Sequence, residues 1–108
     1  MALFPCSSGG SQSRYDGYFN ILKSTSQNIT VSNSYKGIMC CFGSPASLNG
    51  MYLVNTTPTG TGGPSVTPIG TAPSDINITT AVGSMTIQNS NSSYALVVYF
   101  VSFNGSVS

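Results

Sequence analysis

The chain has no histidine, no glutamate and no tryptophan, and only five of its 108 residues are charged. Those five are Arg14, Asp16, Lys23, Lys36 and Asp75. Each absence excludes a class of chemistry. Without His or Glu the usual general bases are missing, and Asp16 and Asp75 stand far apart with no flanking motif. A cysteine nucleophile would lack its His partner. With no His and no Cys-x-x-Cys pair, a zinc site is excluded. Gly60-Thr61-Gly62-Gly63 is followed by neither a helix pattern nor a Lys, so it is not a phosphate-binding loop. The sequence therefore predicts no catalytic residue, no metal and no cofactor.

Charge and hydropathy exclude more. A formal net charge of +1 gives no electrostatic footprint for nucleic acid or anionic lipid. No run approaches the roughly 18 apolar residues that span a membrane. The start, Met1-Ala2-Leu3-Phe4-Pro5-Cys6, lacks the basic residues and long apolar run of a signal peptide. A chain made in a cytoplasm and released with a larger particle is the expectation. The three cysteines are read as reduced, small apolar residues. Cys40 and Cys41 are adjacent, so on a strand they face opposite ways. A bridge from Cys6 to one of them is the alternative.

What is present suits β structure. Hydrophobic residues make up 40%, enough for a core, and Ser, Thr, Asn and Gly stand where charges usually sit. Weak charge repulsion and a short chain both favour self-association. Residues 1–16 read as an N-terminal arm, with a Gly/Ser stretch between Leu3-Phe4-Pro5 and the first strand. The arm is either a solvated tail or a segment docked on a neighbour. Residues 17–108 read as one β-sandwich domain. Strands are predicted over 17–22, 28–32, 36–42, 51–55, 75–80, 84–88 and 94–103, from alternation and turn residues. Thr56 to Pro73 is rich in Gly, Pro and Thr and reads as a long loop. It has room for one short strand near Val66–Ile69, which Pro68 would confine to an edge. No segment shows sustained helical spacing, though a short turn of helix fits near Ala46–Asn49.

Two stretches resemble each other. Ile29-Thr30-Val31-Ser32-Asn33-Ser34 precedes Tyr35 and an apolar strand. Met85-Thr86-Ile87-Gln88-Asn89-Ser90 precedes Tyr94 and another. Both read as hairpins and as the two halves of a jelly-roll-like sandwich. The run Tyr94–Phe103 is apolar on both faces. Leu96, Val98 and Phe100 form one; Ala95, Val97, Tyr99, Val101 and Phe103 form the other. A strand without a polar face must be covered on both sides. Either the arm covers its second face or another subunit does. The candidate interface residues are therefore Leu3, Phe4, Val97, Tyr99, Val101 and Phe103. The six tyrosines pack at strand edges or interfaces with wet hydroxyls, or stack on sugars.

The short apolar start, the Ile29-Thr30-Val31 strand and turn, the Thr/Gly/Pro-rich middle and the closing stretch from Ile87-Gln88-Asn89 to Phe103 together resemble small fibre, spike or head-decoration proteins of tailed bacteriophages. The resemblance is one of style over nearly the whole chain and includes no diagnostic motif. It implies a virion structural protein that is β-rich, homo-oligomeric (most often a trimer) and in contact with other virion proteins. Two alternatives stand beside it: a tip that binds a host receptor or glycan, suggested by the six tyrosines and the 56–73 loop, and a self-polymerising filament subunit whose N-terminal arm complements a neighbour's sheet. Three cysteines and the lack of fibrous repeats depart from long tail fibres and favour a compact knob or decoration piece.

Overall fold

A computed structural model describes residues 15–56 and 63–108. Eight strands form: β1 Tyr15–Ile21, β2 Ser26–Thr30, β3 Lys36–Phe42, β4 Gly50–Asn55, β5 Ser65–Ile69, β6 Ile76–Ala81, β7 Ser84–Asn89 and β8 Leu96–Asn104, with a 3₁₀ turn at Ala46–Leu48. They make two antiparallel sheets. The larger has the order β1-β8-β3-β4-β5, the smaller β2-β7-β6. The all-β sandwich follows from the alternation in the sequence. Ile29, Met85 and Ile87 point inward from the smaller sheet, and Ile21, Met39, Val54, Leu96, Val98 and Phe100 from the larger; all are buried. Each such side chain contributes about 1.5–3 kcal/mol of hydrophobic stabilisation. β1 begins at Tyr15, two residues inside the stretch read as an arm, and β5 is an edge strand containing Pro68.

The two expected hairpins are not hairpins. β2 lies in the smaller sheet and β3 in the larger; β7 and β8 divide the same way. Each Asn/Ser turn is an arch that carries the chain across the core. The two units are alike in this, and they pair with each other: β2 runs antiparallel to β7, and β3 antiparallel to β8. Each unit thus gives one strand to each sheet rather than forming one half of the sandwich. The nested pairing of β1 with β8 and β2 with β7 is jelly-roll-like, but β3 departs from it by pairing with β4, and β6 by pairing with β7.

The physical reason lies in the arch residues. Ser34 takes a left-handed φ of 60°, which turns the chain inward. Tyr35 then becomes fully buried, stacks edge-on against Phe100 with centroids 6.5 Å apart, and its hydroxyl shares a 2.8 Å hydrogen bond with Ser102 Oγ. The second arch is held by Asn89, also fully buried. Its Nδ2 donates to the carbonyls of Ile21 (3.1 Å) and Tyr94 (2.9 Å), and its Oδ1 accepts from the Asn91 amide (2.9 Å). Tyr94 is 50% exposed, so the likeness between the units does not extend to their tyrosines.

At the β1/β2 side the sandwich is sealed by the last residues. Gly105 has a φ of +83°, and a Cβ there would strike Ser32 Oγ and Tyr35. The bend lets Ser108 exchange two backbone bonds with Thr30, at 2.8 and 2.9 Å, and Val107 pair with Val31.

Candidate functional site

The two sheets differ on their outer faces. On the smaller sheet, register places Asn28, Thr86 and Thr79 in one outward row and Ser26, Gln88 and Asn77 in another. These side chains bond each other: Asn28 Nδ2 donates to Thr86 Oγ1 at 2.9 Å and Asn77 Nδ2 to Gln88 Oε1 at 3.3 Å. That face is polar, as a solvated antiparallel face should be.

The outer face of the larger sheet is mostly apolar, with one apolar row crossing it from edge to edge. One row runs Tyr18, Tyr99, Cys40, Met51, Ile69 across all five strands. A second runs Val101, Ile38, Leu53, Thr67, and a third Asn20, Val97, Phe42. Tyr18, Phe42, Met51, Leu53 and Ile69 are each 44–52% exposed, so no other part of the described chain covers them. Five strands about 4.8 Å apart and three rows about 7 Å apart span roughly 300 Å². Among the described side chains on these strands Lys36 alone is charged. It sits at the end of β3, where Nζ donates to Asn55 Oδ1 at 2.6 Å.

Tyr99 is at the centre of an aromatic group. Its ring lies 5.2 Å from Tyr18 and 5.8 Å from Phe42, tilted by 57° and 71°. Such tilted and edge-to-face geometry is favourable, and it gives the three rings no shared plane.

Of the expected interface residues, Val97, Tyr99 and Val101 stand on this face, half-buried among their neighbours. Phe103 is 58% exposed. It is the extra residue where the register of β8 against β3 shifts, between Ser102 and Asn104. Leu3 and Phe4 lie outside the described residues. Seven members went unforeseen: Tyr18, Ile38, Cys40, Phe42, Met51, Leu53 and Ile69. The signal that could have found most of them is the one used for β8. Ile38-Met39-Cys40-Cys41-Phe42 and Met51-Tyr52-Leu53-Val54 are also apolar on both faces.

The cysteines divide as adjacency requires. Cys41 is buried in the core and Cys40 faces outward, both as free thiols. Burial raises the pKa of Cys40, and burial followed by its neighbour Cys40 pushes Cys41 up to about 12. Both are protonated at neutral pH and poor nucleophiles. Cys6 lies outside the described residues.

Asp75 joins three loops. Its Oδ2 accepts from Ser47 Oγ at 2.7 Å and Asn91 Nδ2 at 2.9 Å, while its backbone carbonyl accepts from Ser90 Oγ at 3.0 Å. Those two side-chain bonds, Ser47 first, lower its pKa against a small opposing desolvation. This is a loop clasp. Among the described residues no three metal-ligating side chains come together, and no helix is long and apolar enough to cross a membrane.

No family model matches the chain, and neither curated proteins nor solved structures yield a match.

Proposed function

We propose that this chain is a non-enzymatic structural module that assembles with copies of itself through the outer face of its five-stranded sheet. The observation that carries the reading is the contrast between the two outer faces. One chain, folded once, wets one face with Ser, Thr, Asn and Gln and leaves the other apolar over some 300 Å². Contiguous exposed patches of a few hundred Å² mark interaction surfaces. Low charge supports the same reading, because little repulsion opposes the approach of identical neutral surfaces. The setting we propose is the virion of a tailed bacteriophage, as a decoration, head-fibre or tail-spike component. It rests on the likeness of style described above, as does a trimeric state.

A receptor- or glycan-binding tip is a weaker second reading. The exposed aromatic group at Tyr18, Tyr99 and Phe42 would serve it, but the tilted rings suit protein contact better than sugar stacking.

Sedimentation velocity of the purified chain tests the assembly, and protein mass spectrometry of purified particles tests the setting. We expect a discrete oligomer and a stoichiometric virion component. A monomer at every concentration, binding no virion protein, would sink the reading.

A further inference from the structure

The sandwich is sealed on one side and open on the other. At the β1/β2 side the C-terminal residues bridge β2. At the opposite side, β5 of the wider sheet overhangs, and among the described residues β6 pairs only with β7. Between β5 and β6 lies a groove of about 370 Å³, lined in part by Tyr52, Val66, Pro68, Ile76, Ile78 and Thr80. Its ends are defined. Pro73 sits against Gly50, where a Cβ would come within 2.5 Å of it, and Gly63 abuts the backbone of Ala81, whose carbonyl oxygen would lie 2.9 Å from a Cβ. The result is a slot about one strand long, walled by apolar Val66, Ile76 and Ile78 together with the polar Asn77 and Thr80. One edge, β6, has no second neighbouring strand among the described residues, and the other, β5, is blunted by Pro68.

We propose that this slot receives the segment Ala2–Cys6 of a neighbouring copy, added as an extended strand beside β6. Three observations select that occupant. The segment is uncharged and carries Leu3, Phe4 and Pro5, and the lining residues are uncharged too. Its tether, Ser7 to Arg14, is Ser/Gly-rich. Eight such residues have a root-mean-square span of about 15 Å. The slot is on the far side of the sheet from β1, across four strand spacings or about 19 Å, and the chain would also have to round the end of the sandwich. Fully extended the tether could reach about 26 Å, but at its root-mean-square span it does not cover that path, which favours the slot of a neighbour over its own. Area points the same way. A stable interface needs about 800 Å² per partner, and the outer face offers roughly 300 Å². A strand added at a sheet edge supplies main-chain hydrogen bonds and buried side chains to make up the difference. The inference rests on the assembly reading only in requiring neighbours.

The test uses the full chain carrying Leu3→Ser and Phe4→Ser, which leaves the slot vacant. A fluorescent peptide of residues 1–14 is titrated in and followed by anisotropy. We expect saturable binding, weakened at least tenfold by Phe4→Ser in the peptide. In a second arm, full chains with Cys40→Ser and either Ala72→Cys or Thr80→Cys, at the two ends of the slot, are mixed with two different tags and mildly oxidised. We expect Cys6 to bridge to the new thiol and give covalent dimers bearing both tags. Absence of peptide binding, or bridges formed only within single copies, overturns the proposal. Leu53→Lys separates the two contacts: it should abolish face-to-face association and leave peptide binding unchanged.

Discussion

Leu53→Lys places a charge at the middle of the apolar face with little consequence for the fold. Leu53 is 49% exposed and points away from the core, so the monomer should lose less than about 1 kcal/mol. In the assembly the remaining half of the side chain would be buried, a contribution of about 1 kcal/mol per copy. The ammonium must also be desolvated among Ile38, Met51 and Val101 with no acidic side chain described nearby, at roughly 2 kcal/mol or more after snorkelling. In a symmetric contact the penalty recurs in each copy. A loss of at least 3 kcal/mol corresponds to over a hundredfold in Kd. Sedimentation velocity across a concentration series reads the association, and thermal melting reads the fold. Cys40 supplies an independent readout, since it lies on the same face. It should react with a thiol reagent faster in the variant than in the assembled wild type, while Cys41 stays silent until unfolding. An oligomer that persists with unchanged Kd, with Cys40 equally reactive in both, would refute the reasoning.

Four further outcomes follow from the same structure. Asn89→Ala should cost about 3–5 kcal/mol by chemical denaturation, because it leaves two carbonyls and an amide without their buried partner. Gly37→Ala should destabilise by several kcal/mol, because the Cβ would collide with the Tyr35 hydroxyl and approach the Val101 carbonyl oxygen at 2.6 Å; a variant melting within a degree or two of wild type would contradict this. The depressed Asp75 pKa makes a contribution that is complete above the unfolded carboxylate value and is lost as pH falls through the folded one. Acid titration of Asp75→Asn should therefore show a flatter loss of stability in that range than wild type. Assembly through neutral surfaces should be insensitive to added sodium chloride or strengthened by it; dissociation at high salt would indicate an electrostatic contact instead.

The strands were legible because alternation is a local property. Ile29, Met85 and Ile87 announce which face is buried, and Pro68 announces an edge. The pairing was not legible. An Asn/Ser turn says that the chain reverses, but not whether it returns within a sheet or crosses to another. What decides is where the next residue's bulk goes, and Tyr35 and Asn89 go inward. Tyr35 can be buried because Ser102, distant in sequence, receives its hydroxyl. Asn89 reads from sequence as a turn residue, yet its amide meets three backbone groups supplied by the end of β1 and the second arch. Neither partnership leaves a local trace. The candidate face was half-legible for a related reason: the need of β8 for a second cover was visible, but its neighbours on the sheet were not.

The same asymmetry explains why this chain can afford so little charge. A monomer kept soluble by its surface needs ionised groups spread over every face. Here the smaller sheet answers water with a ladder of amides and hydroxyls that bond one another, and the larger sheet answers it mainly at its Lys36–Asn55 end. Among the described residues the apolar rows lack a cover and the slot beside β6 lacks a strand, while the Leu3-Phe4 segment carries apolar side chains. Charge would not complete any of these; in the proposed assembly, apolar and main-chain contacts with another copy would. With no ionic pattern to set register, specificity must come from shape: the tilted Tyr18, Tyr99 and Phe42 rings at one side of the face, and a slot closed at both ends that admits one short segment. If the fold finishes in the proposed assembly, low charge follows from it, because ionised groups on the apolar face would have to be desolvated each time two copies met.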